Sequence, residues 1–254
     1  MSPALALKLA WRDLKASPNL LWIVVALALG VATLAAVGTA REAVLTALER
    51  DAAELLGGDV ALRTTGAPIP PEERDALVPE GARTGDVVTV TTIVTGPAGE
   101  DLTVALKGVD GAYPLYGAVE LDPAMPIEAA LAEGGLIVAP GVRDRLDVAV
   151  GDRVTIGVKT FTIRAVLEAE PDRSGGGFQI GPRVLAELGD VEAAGILRRG
   201  SVARYAFRIA LPAEMDAEAY AARLRAERGD ARYEIQSASQ AQPGIERLVG
   251  RLAT

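Results

Sequence analysis

The chain has 254 residues, half of them apolar, 4% aromatic and 24% charged, enough to bury one large core or two modest ones. With 26 Lys and Arg against 34 Asp and Glu, its formal charge of −8 argues against general binding of polyanions. It holds no histidine and no cysteine, which removes Ser–His and Cys–His nucleophiles, imidazole bases, thiolate zinc sites and redox motifs.

Residues 1–18 read as a cytoplasmic amphipathic segment. Lys8, Arg12 and Lys15 fall at i, i+4 and i+7, and Leu7, Trp11 and Leu14 repeat that spacing one position earlier. Such a helix can lie on a membrane surface with its cations toward phosphates. A plain positive flank that fixes topology explains the same residues equally well. Residues 19–40 carry no charge, and at 1.5 Å per residue they reach about 33 Å, matching the ~30 Å hydrocarbon core. Trp22 stands where an interfacial aromatic belongs. A cleavable signal peptide is the rival, with small residues at Gly38-Thr39-Ala40, but the leader and the apolar run are both too long for one. The cations before the span and the acids after Arg41 place Met1 in the cytoplasm and the rest outside it. Beyond the first forty residues remain 23 basic and 33 acidic groups.

Residues 41–56 continue a helical pattern. Leu45, Leu48, Ala52 and Leu55 follow a 3-4-3 spacing, a short coiled-coil seam that Gly57-Gly58 ends. Residues 237–254 mirror it, with Ile245, Leu248 and Leu252 spaced 3 and 4 apart. Packed together, the two would form a hairpin stalk leading to a further span. Packing of each onto the globular core is the alternative.

Between them, 57–236 reads as an α+β domain. Strands are expected at Asp59–Thr65, Val87–Thr95 and Leu102–Leu106, the last two joined as a hairpin over Gly96–Gly99. A short helix opens at Pro70-Pro71. Tyr205, Phe207, Ile209 and Leu211 alternate with Arg204, Ala206, Arg208 and Ala210, a strand with one wet face. A helix over Glu214–Arg228 and a strand at Tyr233–Ile235 follow. Two strand–helix–strand units of this kind suggest a ferredoxin-like split βαβ sandwich. About 118–200 forms a β-rich insertion, with a buried strand at Gly135–Ala139, a helical turn at Pro140–Leu146 and further β runs to Leu167. The glycine-rich stretch Pro171–Phe178 reads as a loop.

No catalytic, cofactor or metal site emerges. None of Lys8, Lys15, Lys107 and Lys159 follows a glycine, so there is no P-loop. A serine hydrolase would need Lys107 or Lys159 to meet a serine in space. Carboxylate pairs such as Glu168/Glu170 and Asp110/Asp122 are what 34 acids supply by chance, and calcium-loop spacing is missing.

Five segments in order carry a resemblance: W-R-D-L-K-A-S-P (Trp11–Pro18), G-G-D-V-A-L-R (Gly57–Arg63), Y-P-L-Y-G (Tyr113–Gly117), G-D-R-V-T-I-G (Gly151–Gly157) and E-P-D-R…G-F-Q-I-G-P-R (Glu170–Arg183). Together they resemble FtsX-like permeases of ABC transporters, most of all the YbbP type with its MacB-like periplasmic core domain. The resemblance implies an inner-membrane permease with a separate cytoplasmic ABC ATPase as partner. That subunit uses the ATP, and this chain has no cofactor and no enzymatic activity of its own. Its stalk would pass the ATPase cycle to a periplasmic domain that moves lipoproteins or other amphiphiles, with a periplasmic partner protein and membrane lipid as further contacts and no nucleic acid. Such permeases continue into further spans, which this sequence, ending at Thr254, does not include. Two other readings stand beside it: a single-span periplasmic sensor or binding module, and a membrane-anchored hydrolase using carboxylates or a Ser–Lys pair.

Overall fold

A computed structural model describes residues 18–172, 180–198, 201–228 and 233–241, with side chains of the first helix described at 22, 23, 25–36, 38 and 50–56. Lys8, Trp11, Arg12, Lys15, Ile245, Leu248 and Leu252 lie outside the described residues. So does most of the glycine-rich loop.

Helix α1 runs without interruption from Pro18 to Leu56, joining the expected span and the expected stalk in one element. Leucine and alanine dominate it, and no proline or charge interrupts 19–40. It ends where glycine permits a left-handed residue: Gly57 has φ 77°, and the N–H groups of Gly57 and Gly58 donate to Ala53 O at 2.8 and 2.9 Å. Trp22, Leu27 and Leu34 are each at least two-thirds exposed. Among the described residues, no helix is long and apolar enough to cross a membrane. The span over 19–40 therefore stays an expectation of the sequence. The chain divides into two compact units, 1–48 and 49–254.

In the second unit, β1 (Val60–Thr65), α2 (Pro71–Arg74) and β2 (Arg83–Thr95) form one strand–helix–strand unit, and β9 (Arg204–Ala210), α6 (Ala217–Glu227) and β10 (Glu234–Ser237) form another. They interleave in the order β10-β1-β9-β2, every neighbour antiparallel, so each unit holds a strand of the other between its own two. Helix α6 starts at an Asp216 cap, whose Oδ1 accepts from Ala219 N at 2.6 Å. Val60, Leu62, Phe207, Ile209, Tyr220 and Leu224 make the core beneath it.

The chain leaves this sheet at β2 and returns at β9. In between it adds β3 (Asp101–Val109), β4 (Glu120–Asp122), α3 (Ile127–Leu131), β5 (Gly135–Val138), α4 (Pro140–Leu146), β6 (Arg153–Ile156), β7 (Lys159–Ala169), β8 (Arg183–Glu187) and α5 (Leu188–Ala193). Six strands close on themselves in the order β2-β3-β8-β5-β7-β6, and β6 returns to β2 through Val94↔Ile156 and Thr95↔Thr155. Alternate residues of every strand fill the ring, among them Val88, Leu106, Leu136, Ile156, Phe161 and Val184. Closure leaves this β-rich part without open edges around most of its girth.

The ring takes in β2 and β3, both before residue 118, so the β-rich part begins earlier than the sequence suggests. Local alternation marks a strand but not its distant partner. Residues 237–241 also differ from expectation. Instead of opening a second stalk helix, Ser237 is a buried strand residue opposite Val60, and Ala238–Ala241 is a 3-10 turn. Ala238 N–H donates to Asp59 O at 2.9 Å, so the ladder to β1 wins over helical spacing.

Candidate functional site

The residues with the most unusual environment lie where α1 ends. Arg208 sits on β9 between Phe207 and Ile209, which face the helical core, and so points to the opposite side. That side was expected to be wet. Arg208 is instead only 8% exposed, because β9 is a central strand and the foot of α1 covers its second face. Ala52, Ala53 and Leu56 pack there with Ala61, Ala238 and Tyr116. The buried line of α1 thus runs through Ala52, Ala53 and Leu56, whereas Leu55 of the expected seam is only half-buried. Leu45 and Leu48 belong to the helix, in a stretch whose side chains are not described.

Beside Arg208 lies a buried cluster of charge. Lys107 Nζ donates to Tyr113 Oη at 2.9 Å, to Glu170 Oε1 at 2.5 Å and to both oxygens of Asp172 at 2.7 Å. Tyr113 Oη donates in turn to Asp172 Oδ1 at 2.8 Å. Arg208 forms an ion pair with Asp172 Oδ2. Arg183 Nε stands 3.2 Å from Glu170 Oε2, close enough for attraction but not aligned for a hydrogen bond. Three cations therefore meet two carboxylates, almost wholly out of water.

Each position follows from local structure. Lys107 alternates with the inward Leu106 on β3 and so lies on the outer face of the ring. Glu170 and Asp172 follow directly on β7, and Arg183 opens β8. Burial alone would raise the Asp172 carboxyl, but Arg208, Lys107 and two hydrogen bonds hold it well below the usual carboxylate range. Burial lowers the Lys107 ammonium against the pull of Asp172 and Glu170, and burial beside those two carboxylates pushes the Tyr113 hydroxyl far up. The Asp172 carboxylate thus stays ionised near neutral pH, and the Tyr113 hydroxyl keeps its proton.

The foot of the helix is seated directly on this cluster. A Cβ placed on Gly57 would lie 2.3 Å from Arg208 Nη1, so the guanidinium occupies the space a side chain would need. At Gly117, in the expected Y-P-L-Y-G segment, a Cβ would fall 2.5 Å from Glu54 Oε1 and 2.7 Å from Pro171 Cβ. Asp59, immediately after the two glycines, accepts from Tyr116 Oη and Leu211 N, both at 2.7 Å. Burial and that bond push the Tyr116 hydroxyl up to about 12. The helix end is thus tied to β9, to the loop around Gly117 and to the chain leaving β7.

The hydrogen-bond partners of Lys107 are a tyrosine and two carboxylates rather than a serine. Lys159 pairs with Asp190, and Ser239 donates to Glu218 at 2.7 Å. Asp110 accepts from the backbone N–H groups of Asp86 and Ala112, a turn-building role. Among the described residues, no group of three or more acids, histidines or cysteines could hold a metal. Sequence reading passed over the cluster because Lys107, Tyr113, Asp172 and Arg208 are far apart along the chain. The one available signal was a lone lysine inside an otherwise apolar strand, Leu102–Val109.

The foot of α1, the interleaved sheet and the closed β ring together make a mixed α/β domain. The family model for the MacB-like periplasmic core domain matches residues 21–227, and the chain belongs to that family. It is 31% identical over 192 residues to the uncharacterized ABC transporter permease YbbP of Escherichia coli K12, a match covering 75% of this chain and 23% of that protein. The chain thus spans about a quarter of the length of this relative. Among solved structures, the periplasmic region of MacB from Actinobacillus actinomycetemcomitans has the same fold, with TM-score 0.51 and 10% identity over 78% of this chain and 95% of that one.

Proposed function

We propose that this chain is the anchor and periplasmic domain of the transmembrane subunit of an ABC-type exporter or mechanotransmission complex. A separate cytoplasmic ABC ATPase hydrolyses the ATP, residues 19–40 span the inner membrane, and Met1 lies in the cytoplasm. Residues 1–18 contact the inner leaflet through Lys8, Trp11, Arg12 and Lys15, and Trp22 marks an interface. The domain over 57–236 moves lipoprotein or another amphiphilic cargo. Residues 41–56 form the stalk, joined by a partner helix that carries Ile245, Leu248 and Leu252.

One observation carries this reading: the foot of α1 is buried with Gly57 against Arg208 of the charged cluster, and Asp59, just after it, accepts hydrogen bonds from Tyr116 and from Leu211 at the end of β9. Displacement of α1 would move the sheet and the ring together, since interiors transmit strain rather than absorb it. The uncharged run of 22 residues and the exposed apolar side chains of α1 support the membrane span.

Topology is testable because the chain has no cysteine of its own. Ala98→Cys, at the exposed tip of the β2–β3 hairpin, should react with a membrane-impermeant maleimide in intact spheroplasts. Ser2→Cys should react only after lysis. Equal labelling of both before lysis would sink the orientation and, with it, the permease reading.

A further inference from the structure

Strand β2 is longer than its neighbours on one side. Its ladder with β9 begins at Thr89↔Arg204, and its ladder with β6 occupies Val94 and Thr95. Between them, residues 90–93 have no ladder partner on that side among the described residues. Over about 13 Å, alternate residues of β2 therefore present backbone N–H and C=O groups to an open edge.

Ser201 and Val202, which precede β9, diverge from β2 instead of extending the ladder. A cleft of about 800 Å³ opens in the wedge. Its walls carry Val158, Ile180 and Val202, which are 78%, 58% and 76% exposed. Large apolar side chains at that exposure, gathered in one concavity, mark an interaction site. Arg198 is among its lining residues, and no carboxylate is.

The geometry points to this cleft as the docking site for an extended segment of a partner protein, apolar in its alternate residues and carrying acidic ones. The segment adds a short strand to the open edge of β2 between β9 and β6. Backbone hydrogen bonds to residues 90–93 give affinity, the walls take every second side chain, and Arg198 selects negative charge. An acyl chain would fill the apolar walls but leave the strand edge without partners, so a peptide fits the site better. None of the residues lining the cleft belongs to α1.

The test uses the full chain in zwitterionic nanodiscs and a fluorescein-labelled hexapeptide, acetyl-Glu-Val-Thr-Val-Thr-Glu-amide. Fluorescence anisotropy should report saturable binding. The same peptide N-methylated at alternate residues should bind about tenfold or more weakly, since it keeps its side chains but loses edge hydrogen bonds. Val202→Asp should weaken binding and Val202→Lys should strengthen it, both at an exposed position where folding is undisturbed. Equal binding of the methylated peptide, displacement by dodecanoate at similar affinity to the peptide, or no binding by the parent chain would each overturn the proposal. A proposal that fails in this way leaves the topology test of the permease reading untouched.

Discussion

Replacing Asp172 with alanine is expected to cost about 3–5 kcal/mol of stability, because it leaves buried cations without their counter-charge. Asp172 accepts from Lys107 and Tyr113 and pairs with Arg208, while Glu170 alone would face all three cations. At roughly 2–4 °C per kcal/mol for a domain of this size, the melting temperature should fall by about 6–20 °C. Adding Arg208→Ala should return part of the loss, with about 0.5–3 kcal/mol of coupling between the two sites. Differential scanning calorimetry on the four variants measures both quantities. Additive losses would mean that the pair is not a unit.

The second large effect is at Gly57. Its φ of 77° alone makes alanine cost roughly 1–2 kcal/mol. The new Cβ would also meet the Arg208 guanidinium, which cannot swing aside without leaving Asp172. Gly66 is the internal control: its φ is 87°, yet open space surrounds the position. Gly66→Ala should therefore cost about 1 kcal/mol and Gly57→Ala about 3 kcal/mol, the difference being the disturbed ion pair. Urea denaturation of both variants decides it. Equal losses would show that the helix end does not bear on the cluster.

Much of the fold is legible because its local signals are strong. Pro140 opens α4, and Leu146, the last helical residue expected, ends it. The glycine pair at 57–58 ends α1, and the hairpin over 96–99 joins β2 to β3. The two strand–helix–strand units are visible because the alternation in β9 and the helical run over Glu214–Arg228 are both local signals. What escapes is what depends on distance. Short β4, β8 and α5 carry too few residues for periodicity to register. The ring closes through two residue pairs between β2 and β6, some sixty positions apart, and no local pattern encodes that. Arg208 misleads for the same reason: charge alternating with apolar residues looks like a solvated face until a carboxylate from position 172 covers it. The segments Gly57–Arg63, Tyr113–Gly117 and Glu170–Arg183, which carry the resemblance, supply the glycines that end α1, the Gly117 contact and the acids of the cluster.

Transmission through that joint is the central claim, and it calls for a change that silences the charges without unfolding the domain. Asp172→Leu combined with Arg208→Met removes one charge of each sign and leaves Lys107 paired with Glu170. Apolar replacement of a buried pair is often neutral for stability. In the full-length permease reconstituted with its ATPase in liposomes, the double variant should keep its melting temperature within a few degrees. It should lose about tenfold or more of the stimulation that the permease gives to ATP hydrolysis. Full stimulation by a folded double variant would contradict the account, since the helix would then be driving the domain without the joint.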